Sequence, residues 1–458
     1  MKLSASALEG IAGPGGLLTG ADVRARASGI WNPAPIEADA IVRPRGTEEV
    51  AALLRLCHEA EQPLVTHGGL TGLVHGAQTA AGDLVLSTER MTAIEALDPV
   101  GRTMTVQAGV TLQAAQEAAD EAGLLLALDL GARGSCTIAG NLATNAGGNR
   151  VIRYGMARDQ VLGLEVVLAD GTVLSSMNRM LKNNAAFDLK QLFIGSEGTL
   201  GVITRAVLRL REKPRSEQTA LVAAESLSDV VALLKHADVR LGGTLSAFEV
   251  MWNDFYRLVT SPPAQGTPPL AQEHAYYVLL DSLGGDPDSD NAQFEAMLGE
   301  ALEAGMIVDA ALASSGRERD ALWALRDDVE QTFNEGPAIT FDVSLPIAAM
   351  EAYVSTVRQR LAQAFADHHC WIFGHLGDGN LHLVVAVGDA EPATRQRVEE
   401  AVYGPLQAIG GSVSAEHGIG LEKKPWLHLS RSREEIDTMR RLKASLDPHG
   451  ILNPGKVF

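Results

Sequence analysis

The most constraining feature of this chain is the stretch Gly374–His382, in which two histidines flank a Gly-Asp-Gly sequence. Apolar, strand-like residues lie on either side of it, at 371–373 and at 383–387. On one continuous strand, an offset of seven would point the His375 and His382 side chains to opposite faces. Because Gly-Asp-Gly is typical of a tight turn, the sequence predicts strand, turn and strand, with the two imidazoles converging.

A further acidic and basic pair lies downstream, where Glu416 and His417 stand side by side before a glycine. Two histidines and one glutamate form a plausible ligand set for a divalent metal that keeps open positions for a substrate. His417 would then be available as a base. The alternative is that His375 and His382 only shape a turn.

The composition excludes several classes of function. A net charge of −19 argues against nucleic acid or an anionic membrane as a partner. No apolar run approaches the roughly 18 residues of a membrane-spanning helix. The three cysteines (Cys57, Cys136 and Cys370) lie far apart without CxxC spacing, which suits reduced thiols in a cytoplasmic protein and excludes an iron–sulfur cluster held by this chain alone.

Two glycine-rich segments in the first half predict a ligand that carries phosphate groups. One is His67–Gly72, directly after a predicted strand, and the other spans residues 130–150. Such loops offer many backbone N–H groups, and glycine lets an anion approach the backbone closely. The motifs GxGxxG and GxxxxGK[ST] are absent, which argues against a Rossmann or P-loop site. Glycine-rich turns without a ligand are the alternative.

At 458 residues the chain is too long for one core, so we expect two or three domains. A change of composition near 212–214 marks the first boundary. Beyond it, helices alternate with strands, which predicts an α+β unit whose sheet is covered on one side. The clearest helix in the first half follows Thr47 and carries one apolar stripe, formed by Val50, Leu53, Leu54 and Cys57.

Longer motifs in both halves resemble a known family. Those of the first half are similar to the FAD-binding domain of the vanillyl-alcohol-oxidase type: His67–Gly72, Leu130–Gly148, Arg153–Gly155 and Phe193–Gly201. Those of the second half resemble the FAD-linked D-2-hydroxy-acid dehydrogenases, in particular the D-2-hydroxyglutarate dehydrogenase group: Gly374–His382, Ser414–Gly418 and Leu446–Lys456. The resemblance covers nearly the whole chain in collinear order.

The resemblance implies an α+β fold class, with a vanillyl-alcohol-oxidase-type FAD-binding domain and an α/β cap domain that binds substrate on an antiparallel sheet. We expect an N-terminal segment at 1–36 and the FAD-binding domain at 37–214. The cap domain with the metal site would span 215–420. A C-terminal segment at 421–458 would return to the FAD-binding domain.

The resemblance also implies which residues line the cofactor. Some flavoproteins of this fold attach FAD covalently to a histidine. The residue after the Gly-Gly pair is Leu70 here, so we expect FAD to be bound without a covalent link. The predicted cofactor residues are Gly68, Gly69, Leu70, Thr71, Gly72, Gly134, Ser135, Gly140, Asn141, Thr144, Gly148, Glu197, Gly201, Ile203 and Asn453.

For the chemistry, the resemblance makes His375, His382 and Glu416 the ligands of a divalent metal, zinc or manganese. A metal that chelates the carboxylate and hydroxyl of a substrate lowers the hydroxyl pKa. His417 would be the catalytic base that takes the hydroxyl proton while a hydride leaves C2 for flavin N5.

The substrate residues implied by the resemblance are Arg326, Asn380 and Thr340. Arg326 would bind a substrate carboxylate bidentately, and Asn380 would hold it by its amide. Two positions depart from the hydroxyglutarate pattern, because Thr340 replaces a lysine and Glu330 replaces a threonine. The resemblance makes D-2-hydroxyglutarate the first choice of substrate. Because losing an ammonium and gaining a carboxylate would both disfavour a second substrate carboxylate, D-lactate, glycolate or another monocarboxylic D-2-hydroxy acid is the alternative.

Reduced flavin must pass its electrons on, and we expect an acceptor such as electron-transfer flavoprotein, a quinone or a cytochrome. A homodimer and a cytoplasmic location are further expectations. Two rival functions are a metal-dependent hydrolase, which would leave the glycine-rich half unexplained, and a flavin-binding subunit without catalysis of its own.

Overall fold

The computed structural model describes residues 2–458. The helices are α1 (Ala5–Ala12), α2 (Ala21–Arg24), α3 (Thr47–Glu59), α4 (Leu112–Glu121), α5 (Ile138–Thr144), α6 (Val151–Tyr154), α7 (Lys190–Phe193), α8 (Leu227–Arg240), α9 (Asn253–Val259), α10 (Pro287–Glu303), α11 (Gly316–Asp327), α12 (Met350–Ala364), α13 (Pro392–Tyr403) and α14 (Arg433–Leu446).

The strands are β1 (Leu17–Thr19), β2 (Ala27–Gly29), β3 (Asn32–Pro35), β4 (Ala40–Val42), β5 (Leu64–His67), β6 (Leu84–Ser87), β7 (Ile94–Asp98), β8 (Thr103–Gln107), β9 (Leu124–Leu125), β10 (Val161–Val167), β11 (Val173–Ser176), β12 (Val202–Arg209), β13 (Arg211–Glu212), β14 (Ser216–Ala224), β15 (Leu245–Trp252), β16 (Tyr276–Gly284), β17 (Asp309–Leu312), β18 (Ala338–Ser344), β19 (His369–Gly374) and β20 (Asn380–Ala386).

The chain forms two compact units. The first contains the residues up to Gly148, then Gly155–Lys213 and Glu416–Phe458, and the second contains Asn149–Tyr154 and Pro214–Ala415. The main boundary between the two units, at 213/214, lies one residue from the predicted boundary at 214/215. The predicted N-terminal segment is part of the first unit, and the C-terminal return begins at Glu416 instead of 421.

The first unit has two main sheets. Strands β4, β6 and β5 pair in parallel, with β1 antiparallel at one edge, and the other sheet is antiparallel in the order β11-β10-β12-β8-β7. Helix α3 packs against β10 and β12 with its predicted stripe fully buried. One apolar core joins both sheets, because buried side chains from each belong to a single cluster. Ile41 of β4 and Val85 of β6 belong to a separate, smaller cluster.

The C-terminal segment is pinned to β5 by Asn453. Its backbone N–H donates to the carbonyl of Leu64 at 2.9 Å, and its side-chain oxygen accepts from the N–H of Thr66 at 3.0 Å. The side-chain amide donates to the carbonyl of Glu197 at 2.6 Å. Asn453 therefore links the C-terminal segment to strand β5 and to the loop that contains Glu197.

The second unit is built on one antiparallel sheet in the order β17-β14-β16-β15-β19-β20-β18. The prediction that this sheet is covered on one side is wrong. Every residue of β15 and all but the first of β16 are buried, as expected of strands with both faces covered. Helices α8 and α10 pack together and contact the central strands, while α9 and α11 contribute to an apolar cluster with β14, β16 and β19.

None of the helices formed by residues 2–458 combines the length and the apolar character that crossing a membrane requires.

Candidate functional site

The first unit contains a cleft at the carboxyl end of β5, which we call the glycine-loop cleft. It is formed by the loop that follows His67, by α5, and by His417 and Asn453 from the C-terminal part of the chain. The predicted cofactor residues that line it are Gly68, Gly69, Leu70, Thr71, Gly72, Gly140, Asn141, Thr144, Glu197 and Asn453.

The backbone conformation of the loop that follows His67 suits the binding of an anion. Leu70 has a positive φ of 55°, and a side chain on Gly69 would meet the carbonyl oxygen of Ser135 at 1.9 Å. Within residues 2–458, the N–H groups of 69–72 find no protein acceptor. Successive amides without an internal partner are suited to phosphate oxygens.

Five predicted cofactor residues do not line the glycine-loop cleft. Gly201 and Ile203 line a smaller cavity that shares Thr66, Gly68 and Gly140 with the glycine-loop cleft. Gly134 and Ser135 are exposed and line neither cavity.

Gly148 also lines neither cavity, and it has another task. Its N–H donates to Oε1 of Glu416 at 2.6 Å, and a side chain there would collide with the carbonyl of Asp129. The neighbouring Gly147 leaves space for the same carboxylate, because a Cβ there would lie 2.5 Å from Glu416 Oε1. The predicted third metal ligand is thus held within the first unit by backbone contacts.

Glu197 uses its carboxylate to hold the chain that follows His417. The backbone N–H groups of Ile419 and Gly420 donate to its two oxygens at 2.7 and 2.8 Å. Burial raises the pKa of Glu197 above its ordinary value, although these two amides act in the opposite direction. Glu197 therefore lines the cleft while positioning the C-terminal loop there.

His67 closes the base of the loop. Its Nε2 lies 2.8 Å from the carbonyl oxygen of Ala77, so the ring links the two ends of the cleft-lining segment. Burial lowers the pKa of His67 to about 4, since an imidazolium there would lose its hydration. A neutral ring with its proton on Nε2 donates this bond.

In the second unit, the predicted strand, turn and strand are confirmed. β19 ends at Gly374, a short 3₁₀ turn spans Leu376–Asp378, and β20 begins at Asn380. The rings of His375 and His382 are 5.3 Å apart at 80°, with potential ligand nitrogens within 4.8 Å of each other. The two imidazoles converge as predicted.

A glutamate that the sequence analysis missed lies behind this pair. Glu249 on β15 accepts from Nδ1 of His375 at 2.6 Å and from Nε of Arg326 at 2.8 Å. Nη2 of Arg326 lies 3.4 Å from Nε2 of His375. Burial acts to raise the pKa of Glu249, but attraction to His375 and Arg326 and their hydrogen bonds outweigh it, so the pKa lies below its ordinary value.

Asn380 is buried at the end of the turn. Its backbone N–H donates to the carbonyl of His375, whereas neither its side-chain oxygen nor its nitrogen has a partner within residues 2–458. A buried amide without a partner costs roughly 1–3 kcal/mol, so it is expected to bind a ligand. The position supports the predicted contact with a substrate.

Asp342 is a second missed residue. It pairs with His382 across β18 and β20, with ligand atoms within 4.8 Å of each other. Its Oδ2 accepts from the hydroxyl of Ser414 at 3.3 Å and the N–H of Ala415 at 3.2 Å. A carboxylate in a buried strand was the available signal for both Asp342 and Glu249.

The two residues that depart from the hydroxyglutarate pattern are both exposed. Thr340 lies on β18 opposite Val384 and, two residues from Asp342, shares its face of the strand. Glu330 lies in a 3₁₀ helix that begins after α11 has ended, and so does not continue the helix of Arg326.

Comparison with known proteins gives two family matches that together span most of the chain. The FAD binding domain family matches residues 38–176, and the family described as FAD linked oxidases, C-terminal domain, matches residues 213–457. A mitochondrial D-2-hydroxyglutarate dehydrogenase of Bos taurus is 41% identical over 91% of this chain and 76% of its own length.

The D-2-hydroxyglutarate dehydrogenase of Xanthomonas citri pv. viticola is also 41% identical, over 93% of this chain and 90% of its own. Among solved structures, p-cresol methylhydroxylase with bound substrate covers 99% of this chain and 95% of its own at a TM-score of 0.76 and 16% identity. The likeness of fold confirms the predicted fold class.

The buried His67 predicts a dependence of stability on pH. Its pKa is about 4 in the folded chain and near 6.5 when unfolded, so protonation of the unfolded state favours unfolding as pH falls from 6.5 to 4. At pH 5 this contribution is about 2 kcal/mol and is absent above pH 7. Urea denaturation followed by circular dichroism at pH 7.5 and 5 should show it.

The matched control is His67→Gln, whose amide can still donate to Ala77 without titrating. Wild type should lose about 2 kcal/mol more than this variant between the two pH values. Equal losses in the two proteins would contradict a buried neutral His67.

Proposed function

Because the chain belongs to the family of FAD-linked oxidases that includes the D-2-hydroxyglutarate dehydrogenases, we propose that it oxidises D-2-hydroxyglutarate, or a related D-2-hydroxy acid, to the 2-oxo acid. The observation that carries the proposal is the placement of the His375 and His382 imidazoles beside the buried Arg326. Imidazoles suit a metal that binds hydroxyl and carboxylate oxygens, and a guanidinium suits a carboxylate.

The first unit fits FAD. The N–H groups of 69–72 suit its pyrophosphate, and the cleft between the loop and α5 suits an extended ligand. When bound, FAD supplies the hydride acceptor at flavin N5. We propose a non-covalent complex, since Leu70 follows the Gly-Gly pair and His67 is engaged with Ala77.

A divalent metal, zinc or manganese, fits the imidazole pair, with Glu416 as the third ligand. Glu416 follows Ala415, whose N–H binds the carboxylate of Asp342 on the strand beside His382, and this covalent link supports the assignment. The metal would supply Lewis acidity that lowers the pKa of the 2-hydroxyl.

The side chains of the protein then have distinct tasks. Arg326 binds a carboxylate of the substrate, and the unpartnered amide of Asn380 donates to the substrate and accepts from it. His417, which lines the glycine-loop cleft, takes the proton of the 2-hydroxyl as the hydride leaves C2.

D-Lactate is the second candidate substrate. Thr340 and Glu330 stand where the hydroxyglutarate pattern has a lysine and a threonine. Thr340 is neutral and Glu330 is acidic, so neither provides a cation for a second carboxylate. An electron-transfer flavoprotein, a quinone or a cytochrome as acceptor, a homodimeric state and a cytoplasmic location complete the proposal as expectations from the sequence.

The first prediction of this proposal concerns flavin reduction. Under anaerobic conditions, D-2-hydroxyglutarate should bleach the flavin absorbance near 450 nm, and the L enantiomer should not. Faster bleaching by D-lactate than by D-2-hydroxyglutarate would make D-lactate the preferred substrate. A colourless preparation, or flavin that no D-2-hydroxy acid reduces, would contradict the proposed oxidation.

The second prediction concerns His417. His417→Ala should retain FAD but lower the rate of flavin reduction by about 100- to 10,000-fold, since a general base contributes this much. Stopped-flow absorbance measures the rate, and the FAD-to-protein ratio measures retention. His428→Ala, which removes an exposed histidine of the same unit, is the matched control and should leave the rate unchanged. A rate in His417→Ala within threefold of the control would remove His417 from the chemistry.

A further inference from the structure

We propose that Glu249 is a positioning residue that orients both Arg326 and His375 and thereby sets the metal affinity of His375. This inference rests on the proposed function, in which His375 is a metal ligand. Neither partner is close to Glu249 in the sequence, yet one carboxylate binds both through different oxygens.

Glu249 occupies an environment where a carboxylate is costly. All eight residues of β15 are buried, and Glu249 itself has no exposed surface. An ionised carboxylate taken out of water is strongly unfavourable unless it is paired and hydrogen-bonded. A residue with only a packing role would be apolar here, as the buried Ala247 and Met251 are on the same face of the strand.

The contact with His375 decides where the proton of the imidazole lies. An ionised carboxylate can only accept, so Nδ1 must carry the proton at a distance of 2.6 Å. Nε2 then keeps its lone pair, which accepts from Nη2 of Arg326 here and would be the ligand atom for a metal that displaces this contact. A carboxylate behind an imidazole also fixes the ring plane and makes the ligand more basic.

The contact with Arg326 decides where a positive charge lies. The 2.8 Å bond to Nε holds the guanidinium, whose central carbon lies 5.2 Å from the centre of the Phe373 ring. Nη2 is only 3.4 Å from Nε2 of His375. Without the charge of Glu249, this cation would repel a divalent ion at Nε2. Glu249 thus makes a carboxylate-binding arginine compatible with a neighbouring metal.

The test measures metal affinity directly, on the full-length protein with FAD bound. Zinc affinity is measured for wild type, Glu249→Gln and Glu165→Gln by competition with a chromophoric chelator. Glu249→Gln should bind zinc about 10- to 100-fold more weakly than wild type, because the amide cannot accept from both partners and carries no charge.

Glu165→Gln is the matched control. Glu165 is also buried and also paired with an arginine, Arg205, but it lies in the first unit. The Glu165→Gln substitution should lower the melting temperature without changing the zinc affinity. Equal zinc affinity in Glu249→Gln and wild type would overturn the inference.

His382→Gln separates this inference from the proposed metal site. If His382→Gln binds zinc as tightly as wild type, the metal site itself fails. If His382→Gln loses zinc while Glu249→Gln keeps it, only the role of Glu249 fails. A purely structural role would lower stability in Glu249→Gln and leave zinc affinity and KM unchanged, whereas we expect KM for the hydroxy acid to rise more than kcat falls.

A measurement on the wild-type protein reads the protonated nitrogen directly and needs a variant only to assign the signals. Nitrogen-15 NMR of histidine-labelled protein, with zinc removed and the signals assigned through His375→Gln, reports which ring nitrogen is protonated. The inference requires the Nδ1–H form of His375. The Nε2–H form would overturn it.

Discussion

Gly374 and Gly379 take backbone angles that a side chain would strain, and the site of the second unit is built on the reversal they allow. Their φ values are +150° and +89°, and a side chain on Gly374 would meet the carbonyl oxygen of Asn380 at 2.7 Å. The reversal lets β19 and β20 pair directly, with Phe373 opposite His382. His375 therefore leaves the first strand next to the ring that the second strand presents.

The second unit surrounds this reversal with polar groups that a buried sheet would otherwise exclude. Glu249, Arg326, Asp342 and Asn380 are all buried, and three of them are charged. Charges in such a place require partners, and here each carboxylate contacts or adjoins a histidine of the pair. The first unit is suited to an anion instead, because the loop after β5 leaves backbone amides without a protein acceptor in the described part of the chain. The neutral ring of His67 holds the two ends of this loop together through Ala77.

Local chemistry made much of this predictable. The Gly-Asp-Gly sequence indicates a turn by its composition alone, and the apolar stripe of α3 follows helical periodicity. The glycine loop after β5 was also recognisable, and its residues line one cleft as expected.

The remaining features depend on contacts between distant parts of the chain. Glu249 is 77 residues from Arg326 and 126 from His375, so no local pattern joins them. The sheet of the second unit has both faces covered because helices far apart in sequence pack on it. Glu330 follows Arg326 by four residues, the spacing of one helical turn, but α11 ends at Asp327 and the two do not share a helix. Contacts between distant parts of the chain therefore determine these features, and the periodicity of the sequence does not reveal them.

The central claim is that His375 and His382 together hold a divalent metal to which a hydroxy acid binds. X-ray absorption at the metal K-edge, recorded on the FAD-loaded protein, tests it most directly. The account predicts, for zinc, two imidazole nitrogens at about 2.0–2.1 Å, together with oxygen ligands whose pattern changes when D-2-hydroxyglutarate is added. A metal without imidazole ligands, or a spectrum that the hydroxy acid leaves unchanged, would contradict it.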